Sequence, residues 1–224
     1  MSSAHTIGFI MDGNRRWASA RGLSTLEGHK AGFKKLKEVA GWAKDSGIEV
    51  IIFYAFSTEN WKRTPNEVSY LIGMFESALQ NELDELKGRN VRVKFIGDRS
   101  RFSQNIQTLM VKMESETKHA TSGTLVIAVS YGGRAEIVTA ANALRNSDAP
   151  ITEESFQKHL ATSDIPDPDV VLRTGGEQRL SNFLPWQITY SELFFSNTLW
   201  PDYSKAEFDQ LLADFETRRR NFGK

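Results

Sequence analysis

The 224-residue chain contains no cysteine, which excludes a disulfide scaffold, a thiolate zinc site, an iron–sulfur cluster and a thiol nucleophile. It also lacks net charge. Its 28 lysines and arginines balance 28 aspartates and glutamates, so no overall field favours nucleic acid or an acidic membrane, and any anion site has to be local. Long apolar runs are missing too: the strongest, Val50 to Phe56, falls far short of the roughly 18 residues that mark a membrane span, so a soluble chain is expected. The first residues show no basic region followed by an apolar stretch, so no signal peptide is expected, and a reducing cytoplasm suits the lack of cysteine. Repeats, low-complexity tracts and linkers are absent from the sequence; Asp164-Ile165-Pro166-Asp167-Pro168 reads as a tight connection. One domain over residues 1–224 is therefore expected, burying roughly 72% of its unfolded surface without a metal or disulfide staple.

What is present is a rhythm. Short apolar runs at Thr6–Met11, Ile48–Phe56, Val91–Gly97, Leu125–Tyr131, Asp169–Arg173 and Leu193–Ser196 alternate with longer helical patterns. The runs lack clean polar alternation, as strands covered on both faces do. The expected fold class is α/β, a central, mostly parallel sheet of about six strands flanked by helices. Phe33, Leu36, Val39, Ala40 and Ala43 share one helical face, and Val68, Leu71, Ile72, Phe75 and Leu79 another. Thr64-Pro65-Asn66-Glu67 supplies an N-cap, a proline at the first helical position and a capping-box glutamate, and Ser204 with Glu207 repeats the cap. Arg218, Arg219 and Arg220 close the last helix, either as a solvated end that suits the dipole or as an interface or anion site.

Polar residues gather where three of these strands end. Met11-Asp12-Gly13-Asn14-Arg15-Arg16-Trp17 follows the first strand, Ser57-Thr58-Glu59-Asn60-Trp61-Lys62-Arg63 the second, and Thr174-Gly175-Gly176-Glu177-Gln178-Arg179-Leu180-Ser181-Asn182 the fifth, beyond Arg173. Ligands of open α/β sheets bind outside the carboxyl ends of strands. Each loop also has a plainer reading: an ordinary Asp-Gly-Asn turn, helix capping by Ser57 and Thr58, a core aromatic at Trp61, and surface ion pairs at Arg63 and Arg179. Three such loops on one sheet edge favour a site for an anionic, diphosphate-like substrate, because arginines bind phosphates with charge-assisted hydrogen bonds. The glycine spacing matches neither the P-loop nor the dinucleotide fingerprint. Without cysteine, a metal would take hard oxygen ligands, with Asp12 and Glu192 as candidates and Mg2+ as the fitting ion. Glu192 reads equally as a strand-edge acid paired with an arginine. His29 could donate to phosphate or cap its own helix, and His5, His119 and His159 show no metal spacing. Ser24 and Ser181 lack a nucleophile elbow.

Seven ordered motifs go further: Ile10-Met11-Asp12-Gly13-Asn14-x-Arg16-Trp17, Gly28-His29-Lys30-Ala31-Gly32, Tyr54-Ala55-Phe56-Ser57-x-Glu59-Asn60-Trp61-x-Arg63, Phe95-Ile96-Gly97-Asp98, Tyr131-Gly132-Gly133-Arg134, Arg173-Thr174-Gly175-Gly176-Glu177-x-Arg179-x-Ser181-Asn182-Phe183, and Trp186-Gln187 to Glu192-Leu193. On these residues the chain resembles the cis-prenyltransferase family, and within it the bacterial undecaprenyl diphosphate synthases, or isoprenyl transferases. The resemblance implies head-to-tail condensation of isopentenyl diphosphate onto an allylic diphosphate, farnesyl or geranyl diphosphate. Each addition would leave a cis double bond, toward a polyprenyl diphosphate such as undecaprenyl diphosphate, the lipid carrier of cell-wall synthesis.

By motif position the resemblance implies that Asp12 is the essential carboxylate and holds Mg2+, with Glu192 as second metal ligand. Gly13, Asn14, Arg15, Arg16, Trp17 and His29 would surround the allylic diphosphate. Arg173, Arg179, Leu180 and Ser181 would hold isopentenyl diphosphate, and Ser57, Thr58, Glu59, Asn60, Trp61 and Arg63 would lie between the substrates. The family role of Asn60 is proton acceptor, yet a neutral amide is a very poor base, so we expect Asn60 to position and a phosphate oxygen to take the proton. The resemblance also implies a homodimer, an apolar product tunnel that the Val68–Leu79 helix could wall, and transient membrane contact through the product, at the inner face of the membrane. Small Ala55 and Gly123 leave room for a long chain.

Three positions depart from the family pattern. Thr25 stands in place of an arginine, a loss of about 1.5–3 kcal/mol of binding if uncompensated, with Arg21 as a candidate replacement. Ser130 replaces an asparagine, and Gln178 a histidine. The rival readings are a short-chain synthase stopping at ten to fifteen carbons and a non-catalytic partner subunit that keeps the fold.

Overall fold

In a computed structural model, residues 4–146 and 149–218 are described. The elements run β1 (Thr6–Ile10), α1 (Asn14–Ser19), α2 (Thr25–Asp45), β2 (Val50–Ser57), α3 (Pro65–Asn81), α4 (Leu83–Gly88), β3 (Arg92–Ile96), α5 (Gln104–Thr117), β4 (Thr124–Tyr131), α6 (Gly133–Leu144), α7 (Glu153–Gln157), β5 (Val170–Arg173), β6 (Glu192–Phe195) and α8 (Lys205–Thr217), with short 3-10 turns at Thr58–Lys62, Arg99–Arg101 and Trp200–Asp202. The six strands form one sheet in the order β3-β4-β2-β1-β5-β6, and every neighbouring pair is parallel. The expected "mostly parallel" sheet is thus wholly parallel, and the strand ends differ from expectation by one or two residues.

Both faces are covered, which explains the missing alternation. Ile7, Phe9, Ile51, Phe53, Val170 and Leu172 point to one face, against Val39 and Ala43 of α2 and Phe208, Leu211 and Phe215 of α8. Leu79, Met110 and Met113 extend that layer over β3. Ile10, Val50, Ile52, Val126 and Val171 point to the other face, against Phe183, Leu184 and Ile188. These three residues belong to the crossover from β5 to β6, which is built of turns rather than an α-helix. Its apolar anchors and Gln187, which donates to Glu136 and Thr162, fix it on the sheet. Among the described residues no helix is long and apolar enough to cross a membrane.

Both predicted caps, at Thr64 and Ser204, form with one exception, and the structure adds a third at Ser24. Ser24 and Ser204 close capping boxes with Glu27 and Glu207, and Thr64 caps α3 by accepting from the Glu67 backbone amide. The Glu67 carboxylate does not return to the cap; it is buried and turned toward α2. Arg218 stacks on Phe194 and bonds Glu192, while Arg219 and Arg220 lie outside the described residues.

Candidate active site

Because β1 lies between β2 and β5, the carboxyl ends of these three strands bring the three polar loops together. Asp12 stands at the centre. Its amide receives a hydrogen-bonding partner in Thr174 Oγ1 at 3.1 Å, and its carbonyl accepts from the Thr174 hydroxyl and the Trp200 amide. Gly13 then turns the chain with φ +114°, and a Cβ there would meet Leu199 at 2.9 Å. Only glycine satisfies both constraints, so Asp-Gly-Asn is a committed support for Asp12 and not an ordinary turn.

The Asp12 carboxylate bridges two cations. Oδ2 accepts from Arg173 Nη2 at 2.7 Å and Oδ1 from Arg16 Nη2 at 3.2 Å. Arg173 is 5% exposed, and its Nη1 donates to Ser181 Oγ at 2.7 Å and to the Arg179 carbonyl at 2.6 Å. Two buried polar atoms here have no protein partner, Arg173 Nε and Asn14 Oδ1. The first is a donor suited to a phosphate oxygen, the second an acceptor suited to water or a hydroxyl.

Gly28 and Gly32, one helical turn apart on α2, explain how Asn14 comes to lie in the pocket. A Cβ on either would stand 2.2 Å from an Asn14 oxygen, the carbonyl for Gly28 and Oδ1 for Gly32. Gly32→Ala should therefore force α1 away from α2, destabilising by about 1–3 kcal/mol and lowering the melting midpoint by about 2–4 °C per kcal/mol. Calorimetry checks this; an unchanged midpoint would show that the contact relaxes freely.

On the other side of the pocket, the Ser57 amide donates to Asn60 Oδ1 at 3.0 Å. Only an oxygen can accept there, so Asn60 presents its NH2 to the pocket. Glu59 accepts from Asn182, and Arg63 Nη1 donates to the buried Glu67 at 2.9 Å. Glu67 Oε1 also meets His29 Nε2 at 3.0 Å. Burial depresses the His29 pKa more than the Glu67 hydrogen bond raises it, and the Arg63 and Arg15 charges act in the same direction as burial. Burial opposes Glu67 ionisation, but His29, Arg63 and Arg15 outweigh it and hold its pKa below the ordinary value. His29 is thus neutral beside an ionised Glu67. Both folded-state values are depressed, so both groups stabilise the fold above their unfolded pKa values and lose that contribution as the pH falls. The melting midpoint should fall as the pH drops from neutrality through the ordinary histidine value of 6.5, and fall further below the carboxylate value of 4.5. His29→Gln should flatten the first limb in a pH series; an unaltered limb would assign it to other groups.

Asp12, Asn14, His29, Ser57, Glu59, Asn60, Arg63, Arg173 and Ser181 line the polar pocket together. Other expected residues do not. Trp17 donates from Nε1 to Asp202 and carries Arg21 over its ring, so Arg21 is committed to Asp202 as well and is no substitute for an arginine at Thr25, which opens α2. Trp61 is the core aromatic: it donates to Ser130 Oγ and packs on Phe56 and Phe102. Leu180 packs on the Phe183 cluster. The Arg179 guanidinium pairs with Glu177 in solvent, so the expected two-arginine clamp is represented by Arg173 alone. Gly13 and Thr58 shape the loops rather than line the pocket, and Arg15 reaches it through its charge on His29 and Glu67. Gln178 is exposed.

The largest correction concerns Glu192. It opens β6 opposite Val170, at the amino end of the sheet, whereas Asp12 and Arg173 stand at the carboxyl end, about 10 Å further along the strands. Its carboxylate bonds Arg218 at 2.5 Å. Within one chain, Asp12 and Glu192 do not form one metal centre, and the arginine-paired reading of Glu192 holds. Among the described residues no three carboxylate or imidazole groups converge. A single carboxylate amid phosphate-binding donors fits Mg2+, which commonly takes one or two protein carboxylates and completes its shell with phosphate oxygens and water.

Sequence reading assigned no site role to two residues that line the pocket, Tyr54 and Asn182, or to Glu67, which holds His29 and Arg63 from behind it. Glu67 was hidden by its cap motif, although a capping glutamate four residues after Arg63 also forms an i,i+4 pair. Tyr54, whose hydroxyl donates to the Tyr131 carbonyl, and Asn182, whose Oδ1 accepts from the Arg134 amide, stand within the ordered motifs but were assigned no role there.

Beside the polar pocket lies an apolar cavity of about 240 Å³ between the sheet, α2 and α3. Leu71, Ile72, Phe75 and Leu79 line it, as the helical stripe suggested, while Val68 does not. Ala55 and Leu71 line both spaces, so the two meet there. Gly123 lies at the far end.

The undecaprenyl diphosphate synthase family model, Prenyltransf, matches residues 10–223. An isoprenyl transferase of Neisseria gonorrhoeae is 44% identical over 97% of this chain and 88% of its own length. A ditrans,polycis-undecaprenyl-diphosphate synthase of Haemophilus influenzae, (2E,6E)-farnesyl-diphosphate specific by name, is 42% identical over 97% of this chain and 94% of its own. Among solved structures, lavandulyl diphosphate synthase from Lavandula x intermedia in complex with dimethylallyl diphosphate superposes with TM-score 0.94 at 33% identity, covering 99% of both chains. A probable undecaprenyl diphosphate synthase from Campylobacter jejuni gives 0.84 at 33% identity over 100% of both. With the sheet topology, the Asp12 pocket and these matches in agreement, the chain belongs to the undecaprenyl diphosphate synthase family of prenyltransferases.

Proposed function

We propose that this chain transfers the prenyl group of an allylic diphosphate, farnesyl diphosphate in the first instance, to isopentenyl diphosphate, and repeats the step to build a long cis-polyprenyl diphosphate. The observation that carries the reading is the joining, at Ala55 and Leu71, of an arginine-lined polar pocket to an apolar cavity. Diphosphates need the first and a growing hydrocarbon needs the second.

In each cycle the allylic C1–O bond breaks, and diphosphate leaves with its electron pair. A new C–C bond forms from the terminal alkene carbon of isopentenyl diphosphate to C1, and a proton is lost from C2 of the former to give the cis double bond. Arg16 and Asn14 suit the allylic diphosphate, and Arg173, through its unpartnered Nε, suits that of isopentenyl diphosphate. His29 and Arg63 close the wall between, held by Glu67. Asp12 would hold Mg2+, which when bound draws charge from the departing diphosphate. Asn60 donates its NH2 to a substrate oxygen and is not the base, because its oxygen is already occupied by the Ser57 amide; a phosphate oxygen takes the proton. Holding both substrates in line supplies much of the rate.

The short-chain rival draws on one observation, the close superposition on lavandulyl diphosphate synthase. Product analysis from labelled isopentenyl diphosphate, offered with geranyl or farnesyl diphosphate and with or without Mg2+, separates the readings. Long cis-polyprenyl product with Mg2+ supports the proposal, products of ten to fifteen carbons support the short-chain enzyme, and no turnover with any allylic length supports the partner subunit. The reading extends to a cytoplasmic homodimer joined along the free edge of β6, where Phe195 is exposed, with membrane contact made through the product.

A further inference from the structure

The apolar cavity does not end in apolar side chains. Its α2 wall reads Phe33, Leu36, Lys37, Ala40 and Lys44, one face of the helix, so Lys37 interrupts a hydrophobic stripe that itself ends on Lys44. Long charged side chains rarely enter such a face unless paired. Lys37 Nζ donates to Glu82 Oε2 at 2.7 Å and to Glu85 Oε2 at 2.9 Å. Glu82 lies at the break between α3 and α4, capping the end of one and the start of the other. Arg89 pairs with Glu85, and Lys44 Nζ donates to the Arg89 carbonyl. All of these residues line the cavity, at the end remote from Ala55. They bridge the gap between α2 and the α3–α4 junction.

We propose that Lys37, clasped by Glu82 and Glu85, is the distal gate of the apolar cavity and sets how long a prenyl chain grows. The inference deepens the polyprenyl reading and rests on it. The cavity runs from Ile48, just before β2, to Ala55 on that strand, a span of about 23 Å at strand rise. A chain of about five extended isoprene units covers that distance. Any longer product has to coil inside or part the clasp, and a hydrocarbon cannot advance between three charged groups while their hydrogen bonds hold. The clasp is half-exposed, and exposed ion pairs are weak, so it acts as a gate that yields and not as a fixed wall.

The test compares product spectra from farnesyl diphosphate and labelled isopentenyl diphosphate at matched turnover. Lys37→Met keeps the stem and removes the charge; Glu82→Gln with Glu85→Gln opens the clasp from the other side; Lys37→Arg preserves it. The expected result is a shift to longer chains, by whole isoprene units, in the first two variants, and the wild-type spectrum in Lys37→Arg. The rate of the first condensation should be unchanged in all three, because none of these residues touches the polar pocket. Unchanged or shortened spectra in Lys37→Met or in the double variant, beside an active wild type, would overturn the gate alone. A wild type that makes no polyprenyl product at all would overturn the transfer reading and the gate with it.

Discussion

Replacing Asp12 by asparagine should lower turnover on the order of 10³-fold at saturating Mg2+ while the protein stays folded. Asp12 supplies the carboxylate that pairs with both Arg16 and Arg173, and its backbone is pinned by Thr174 and Trp200. Asparagine keeps the shape, so the loop stays in place and Asn Oδ1 still accepts from Arg173. It cannot neutralise two cations, and it is a poor ligand for a hard metal ion. Some stability is lost, because Arg173 is buried and a buried charge deprived of its partner is costly. Its remaining bonds to Ser181 and the Arg179 carbonyl limit that cost to about 1–3 kcal/mol. Steady-state kinetics beside calorimetry separates the two effects. Activity within tenfold of wild type would remove Asp12 from the chemistry, and a collapsed melting midpoint would show that its role is structural.

The second large effect is expected at Ala55. In the β2–β4 ladder Tyr54 pairs with Ala128 and Phe56 with Val129, so Ala55 is the extra residue of a bulge with no partner across the strands. Bulges re-aim side chains at the edges of sheets, and this one turns a methyl group to the junction of pocket and cavity. Ala55→Phe should leave the first condensation within a few fold of wild type and stop elongation soon afterwards. The product spectrum then collapses to short chains, with little change in stability because the position is exposed. Mass spectrometry of the extracted prenols reads the result. A spectrum indistinguishable from wild type would mean that the hydrocarbon takes another path.

These effects meet at positions of different legibility. Asp12, Asn60 and Arg173 could be read from the chain because each follows an apolar run, and polar residues at the carboxyl end of a strand are exposed to a ligand wherever the strand lies in the sheet. Trp17, Trp61 and Leu180 share the same loops, yet a loop has two sides, and nothing in the sequence says which side a residue takes. Trp61 goes inward to Ser130, Trp17 toward Asp202 and Leu180 onto Phe183. Glu67 was misread for the opposite reason. Its cap motif is a sufficient local explanation, and only the approach of α2 supplies the His29 that draws its carboxylate away.

The sequence by itself determined the class of the fold, the six strands and most of their limits, the helix starts and the three loops that carry polar chemistry, because these follow from periodicity, capping and turn chemistry acting over a few residues. Tertiary structure alone decided the strand order that sets β1 between β2 and β5. It decided too that Glu192 faces Arg218 at the amino edge and not Asp12 at the carboxyl edge, and that Lys37 meets Glu82 and Glu85 across the far end of a cavity. Those outcomes depend on which end of a parallel strand a residue occupies and on which helices lie side by side. These are long-range arrangements, and local side-chain pattern does not encode them.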